Sequence, residues 1–215
     1  MKGHHKSRAK ILQKLGIKAL NPMQLEAQST ITSDGDVILL SPTGTGKTLA
    51  FLLPIIEQLD QDCEEIQVLI LVPSRELAIQ INQVIRDMGS GYKTNAVYGG
   101  KSGSKDRMEL KHRPAILVGT PGRVADHMRR HTFTTEYIKT LVLDEFDKSL
   151  EVGFEKEMKD IISSLFNLNQ RILTSATQGV EIPSFVRLKN PQTISFLKEK
   201  SNKLQLKQYN QLILK

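Results

Sequence analysis

No stretch of this 215-residue chain strings 18 apolar residues together, which excludes a membrane-spanning helix of ordinary length. Cysteine is almost missing. Cys63 is the only one, so no disulfide can close within the chain, and that suits a cytoplasmic address. The acids around it in DQDCEE disfavour a thiolate and hence a reactive thiol. His4 and His5 lie in a basic terminus, and His112, His127 and His131 show no ligand spacing with a cysteine. Structural zinc is therefore not expected. The first 18 residues lack acids, but they also lack a continuous apolar core and a small-residue cleavage site, which excludes a secretory signal. Internal repeats and low-complexity tracts are absent as well.

What is present is an ordinary globular composition, 39% hydrophobic and 25% charged. The net charge of +7 is unevenly spread. Residues 1–18 carry six Lys or Arg and residues 198–215 a balance of +4, whereas residues 19–197 hold 19 bases against 22 acids. Basic ends can meet nucleic acid, and solvated termini look the same. Charge alone names no partner, so motifs must.

Short β-rich apolar runs alternate with longer stretches of helical period. The runs are 37–40, 68–72, 95–98, 115–119, 140–144, 171–175 and 192–196, several of them near-continuous in Val, Ile and Leu. Helices are predicted at 24–32, 47–59, 74–88, 101–111, 122–130, 154–166 and 181–188, with Pro54 expected to kink or tighten the second. The alternation predicts an α/β fold on a mostly parallel sheet of about seven strands with right-handed crossovers. Residues 198–215 read as a charged linker followed by a strand-like QLIL with no partner, as though the chain were cut short.

SPTGTGKT, residues 41–48, follows the first run and opens a helix. It is the phosphate-binding pattern with Ser41 in place of the first glycine. Its loop N–H groups and helix N-terminus suit an anion. The glycines Gly44 and Gly46 admit close backbone approach. Lys47 reaches for β- and γ-phosphates, and the Thr48 hydroxyl for Mg²⁺. A second strand, TLVL, ends in Asp144, Glu145, Phe146 and Asp147. Beside a nucleotide site such an end holds metal and water. Asp144 is expected to hold Mg²⁺ directly or through water, and Glu145 to orient or deprotonate the attacking water. Without a phosphate loop the same acids could simply face solvent.

NPMQ ending at Gln24, SPTGTGKT, VPSRELA (72–78), GG (99–100), TPGR (120–123), DEFD (144–147) and SAT (175–177) occur in one order. In this the chain, from about residue 11 to 197, resembles the first recA-like domain of DEAD-box ATP-dependent RNA helicases. The resemblance implies a three-layer α/β/α recA-like P-loop NTPase fold. It implies a nucleotide site built from Ile17, Asn21, Gln24, Ser41, Pro42, Thr43, Gly44, Thr45, Gly46, Lys47 and Thr48, with ATP and Mg²⁺ as cofactors. Gln24 would read the adenine edge. Glu145, Lys47 and Asp144 would be the catalytic residues, with Thr48 and Asp144 on the metal. Pro73, Arg75, Gly99, Gly100, Thr120, Pro121, Gly122 and Arg123 match the family's RNA-backbone positions. Asp147, Ser175 and Thr177 would couple nucleotide state to domain closure.

The chain departs from the family's pattern in three respects. Phe146 stands where alanine is usual, which implies altered packing and not altered chemistry. Ile17 and Ser7 stand where aromatics flank adenine, and isoleucine lacks a π face. Ser74 replaces a threonine and keeps its hydroxyl. The expectation is one recA-like domain over 1–197 with its glutamine motif at 16–24. Residues 198–215 would begin a second, absent domain that supplies arginines and half of the RNA surface. On that reading the chain is monomeric, binds RNA by its backbone without a membrane, and has little ATPase activity and no unwinding activity alone.

Overall fold

The computed structural model describes residues 6–33, 35–100, 103–179 and 181–197, with the side chains of 103–106 left aside. Seven strands form one sheet: β1 (Val37–Leu40), β2 (Val68–Leu71), β3 (Thr94–Val97), β4 (Ile116–Gly119), β5 (Thr140–Leu143), β6 (Gln170–Ser175) and β7 (Gln192–Ser195). Their spatial order is β3-β4-β2-β5-β6-β1-β7. Every pairing is parallel, so the mostly parallel sheet expected from the sequence is parallel throughout.

Alternate residues of these strands enter two cores, as the two-residue period of a strand requires. Val68, Ile70, Val118, Val142 and Ile172 face one core. Leu69, Leu71, Leu117, Leu141 and Leu173 face the other. The first is closed by α1 (Arg8–Lys14), α2 (Pro22–Ile31), α3 (Lys47–Gln58) and α4 (Arg75–Met88). The second is closed by α6 (Pro121–Arg129), α7 (Phe146–Glu151) and α8 (Glu155–Ser163), while α5 (Gly103–Leu110) adds Leu110 to it. Burial on both faces explains the near-continuous apolar runs.

The helices depart from expectation at the N-terminus, at DEFD and at 181–188, and α3 accommodates Pro54 without a break. The basic N-terminus is not simply a solvated tail. Residues 8–14 are helical, Ile11 is buried in the first core, and Arg8 grips Glu57 through two 2.6 Å hydrogen bonds. Pro54 lies buried inside an unbroken α3. The DEFD stretch itself turns into a short helix, α7, which its acidic strand-end character concealed. Residues 181–188 form only a 3-10 turn at Ser184–Val186, which Arg187 ends by entering the left-handed region at φ +54°. The linker and QLIL strand expected at 198–215 lie outside the described residues.

The strand order positions the site. The chain leaves β1 through the phosphate loop and enters α3, but β2 lies three places away in the sheet, beyond β6 and β5. The order reverses here, and ligands of open parallel sheets bind at the carboxyl ends of strands at such a reversal. β6 lies between β5, which carries the acids, and β1, which carries the loop. Its last residues are therefore caught between them.

Candidate functional site

The loop after β1 is shaped by its own contacts. Gly46 caps α3 in the left-handed region at φ +88°. A Cβ there would come within 2.6 Å of Gln24 Nε2, so only glycine fits both the backbone angle and the neighbour. Ser41 is buried, and its hydroxyl meets that of Thr45 at 2.8 Å. Lys47 is buried to 8% exposure, and its Nζ donates to the carbonyls of Ser41 and, at 2.9 Å, of Pro42. Burial lowers its pKa, and the negative charges of Asp144, Glu145 and Asp147 oppose that fall.

Asn21 and Gln24 cap α2 reciprocally. The Asn21 side chain accepts from the Gln24 N–H at 2.9 Å, and Gln24 Oε1 accepts from the Asn21 N–H at 3.0 Å. Both also hold the phosphate loop. Asn21 Nδ2 donates to Thr45 O at 3.0 Å and Gln24 Nε2 to Gly46 O at 3.3 Å. The glutamine motif is thus tied to the loop through side-chain amides. Ile17 packs half-buried against the first core. An aromatic beside the loop is one that the sequence does not reveal. Phe196 shares a cavity of about 450 Å³ with Asn21, Pro22, Met23, Pro42 and Thr45. It follows β7, and only the pairing of β7 with β1 brings it there.

Across the site, Asp144 is 3% exposed. Burial pushes its carboxyl above the ordinary carboxylate range, and the Thr174 hydroxyl partly offsets this. Thr174 Oγ1 donates to Asp144 Oδ1 and accepts the Glu145 N–H at 3.1 Å. Glu145 sits in the left-handed region at φ +49° as the N-cap of α7, and its carboxylate pairs with Lys148 Nζ at 3.1 Å. That pairing raises the lysine pKa. Asp147 Oδ2 accepts hydroxyl bonds from Ser175 at 2.9 Å and Thr177 at 2.8 Å. The structure therefore joins SAT to the last acid of DEFD, and it adds Thr174 and Lys148, which the motif reading had not singled out.

Among the described residues no group of three or more His, Cys, Asp or Glu is placed to hold a metal. The oxygen set of Thr48 and Asp144 suits a hard cation that completes its shell with phosphate and water, as Mg²⁺ does. A buried carboxyl that resists ionisation is the group such a cation would stabilise as a carboxylate.

The remaining candidates lie along the other half of the carboxyl edge. Pro73 follows β2, and Ser74 caps α4, accepting from the Leu77 N–H at 3.2 Å, with Arg75 at the head of the helix reaching the Tyr98 ring just after β3. Gly100, at φ +83°, turns the chain after Gly99. Thr120 and Pro121 start α6, and Gly122 faces Phe154. Arg123 Nη1 lies 4.0 Å from Asp126 Oδ2.

The DEAD/DEAH box helicase family model matches residues 21–184. The chain is 42% identical over 175 residues to the ATP-dependent RNA helicase CshA of Limosilactobacillus reuteri, covering 80% of this chain and 35% of that protein. It is 36% identical over 188 residues to the ATP-dependent RNA helicase DeaD of Escherichia coli, covering 85% and 30%. The crystal structure of a DEAD box protein from Methanococcus jannaschii superposes with a TM-score of 0.80 at 30% identity, over 90% of this chain and 53% of that one. The chain thus spans about a third of the curated relatives it matches.

Proposed function

Because this chain belongs to the DEAD/DEAH box helicase family, we propose that it is the nucleotide-binding half of an ATP-dependent RNA helicase. In that reading ATP hydrolysis drives local unwinding or remodelling of RNA. The carrying observation is the meeting of Lys47 and the acids Asp144 and Glu145 across the end of β6.

Lys47 now satisfies its donors on two loop carbonyls. Those carbonyl acceptors are neutral, and a phosphate oxygen, which is itself charged, pairs with the ammonium more strongly. Nucleotide phosphates would draw the ammonium off the carbonyls, with the N–H groups at the head of α3 behind it. The Thr48 hydroxyl and Asp144 would hold Mg²⁺, which would supply charge neutralisation on the phosphates. Thr174 keeps the Asp144 carboxylate oriented. Glu145 orients the attacking water and takes its proton on the carboxylate. Gln24 offers the adenine edge its remaining amide hydrogen. Asp147 Oδ1 is buried without a hydrogen-bond partner among the described residues. A donor that reached it on closure would gain a full bond, which suits a coupling role for Asp147, Ser175 and Thr177. Pro73, Arg75, Gly99, Gly100, Thr120, Pro121, Gly122 and Arg123 form the RNA-backbone face on this domain, and a second recA-like domain supplies the opposing face and arginines.

Glu145→Gln in the full-length protein tests the reading. Phosphate release should be lost while nucleotide binding persists, and unchanged phosphate release would refute the assignment. The 215-residue chain alone should bind adenine nucleotide weakly without unwinding, and RNA-stimulated turnover by it alone would contradict the two-domain reading.

A further inference from the structure

We infer that Tyr98 is a positioning residue for Arg75, its ring holding the guanidinium where the RNA face grips a phosphodiester. The inference rests on the reading of Arg75 as an RNA-backbone contact. The Arg75 guanidinium carbon lies 5.4 Å from the centroid of the Tyr98 ring, within the range of a cation–π interaction. Nothing in the motif series carries Tyr98, and the residues are 23 positions apart. They meet because α4 begins beside the carboxyl end of β3.

The two partners differ in freedom, and that difference assigns their roles. Tyr98 is half-buried and packs against the first core. Arg75 is exposed at the first position of α4, directly after the Ser74 cap. The ring is the fixed member and the arginine the mobile one. An exposed arginine free to sample rotamers loses that freedom when it grips a phosphate. A ring that already confines the guanidinium removes part of this loss and leaves the fork of N–H donors facing outward.

The neighbouring turn fits this geometry. A Cβ on Gly100 would lie 3.6 Å from Arg75 Nη1. The guanidinium therefore lies along the bare backbone of the Gly99–Gly100 turn, where a phosphodiester chain can approach both. Tyr98, Gly100 and Arg75 act as one clamp, although only the latter two belong to recognised motifs.

The test is a double-mutant cycle in the full-length protein, read as affinity for a fluorescent single-stranded RNA in a non-hydrolysable ATP analogue. Tyr98→Leu should weaken RNA binding about two- to five-fold, the span of an exposed cation–π contact. Tyr98→Phe should retain affinity, and Tyr98→Met, which keeps apolar volume without a π face, should behave like Tyr98→Leu. Nucleotide affinity should stay constant in all three. Arg75→Gln should weaken binding more, and adding Tyr98→Leu to it should cost nothing further. Independent, multiplying losses in the double variant would overturn the inference, as would full RNA affinity in both Tyr98→Leu and Tyr98→Met. If Arg75→Gln itself leaves RNA affinity unchanged, the RNA-backbone reading of Arg75 fails instead.

Discussion

Thr174 donates its hydroxyl hydrogen to the carboxylate of Asp144 and, with the same oxygen, receives the N–H of Glu145. One side chain at the end of β6 thereby holds both members of the acidic pair at the end of β5. Ser175 and Thr177 bond a different acid, Asp147. The two sets of contacts keep the acids apart, with Asp144 and Glu145 held by Thr174 inside β6 and Asp147 by Ser175 at its end and Thr177 just beyond.

Thr174→Val removes that bridge while keeping the side-chain shape. It leaves a buried carboxyl and a backbone N–H short of a partner, so it should destabilise the chain by about 1–3 kcal/mol. Thr174→Ser keeps the hydroxyl and should recover most of the loss. Urea unfolding followed by circular dichroism measures both. Equal stability of the valine and serine variants would contradict the bridge.

Asp144 gives a pH signature. Its folded-state pKa is raised above the ordinary 3.8, chiefly by burial. Between these two values the folded chain binds more protons than the unfolded chain, so stability falls as pH rises through that window and stays lower above it. Asp144→Asn removes the penalty. In EDTA the asparagine variant should be the more stable at neutral pH, and its advantage should vanish as pH drops below the ordinary carboxylate range. A constant difference across that titration would refute the assignment.

Phe146 is 2% exposed and belongs to the second core. It also lines a cavity of about 150 Å³ with Ile38, Leu173 and Ile182. Phe146→Ala would enlarge that space and should cost about 3–5 kcal/mol, read as a lower denaturation midpoint. Because the ring makes no polar contact, RNA-dependent ATPase per folded molecule of the full-length enzyme should persist. Its abolition would assign the ring to coupling.

Asp36 and Arg171 form a buried hinge between the starts of β1 and β6. Asp36 accepts the N–H groups of Arg171 and Lys189, each at 2.6 Å, and lies 3.8 Å from Arg171 Nη1. Arg171 is 5% exposed, and its Nε and Nη1 have no hydrogen-bond partner among the described residues. Asp36→Ala would strand that cation and should destabilise by about 3–5 kcal/mol. Adding Arg171→Met should recover part of the loss. Calorimetric melting of the single and double variants checks this, and additive losses would exclude coupling.

The central strands β2, β4 and β5 were legible because burial on both sides forces near-continuous Val, Ile and Leu, a signal that survives without any partner in view, whereas β7, exposed except at Ile194, carried a weaker one. The phosphate loop was legible because its chemistry is local, with glycine, lysine and threonine following one another between strand and helix. α7 was hidden, because three acids and a phenylalanine read as a strand end. α1 was hidden because its one buried residue, Ile11, is covered by tertiary contacts, α4 among them.

The sequence by itself determined the parallel α/β class, the phosphate loop and the acidic strand end, since each rests on neighbours a few residues apart. The tertiary structure alone decided who meets whom at the site. Thr174 reaches Asp144, Phe196 lies beside the loop and Tyr98 lies under Arg75 because the sheet order places β6 between β5 and β1, β7 beside β1, and the β3 end beside α4. Those distances follow from long-range strand pairing, which no local pattern of residues encodes.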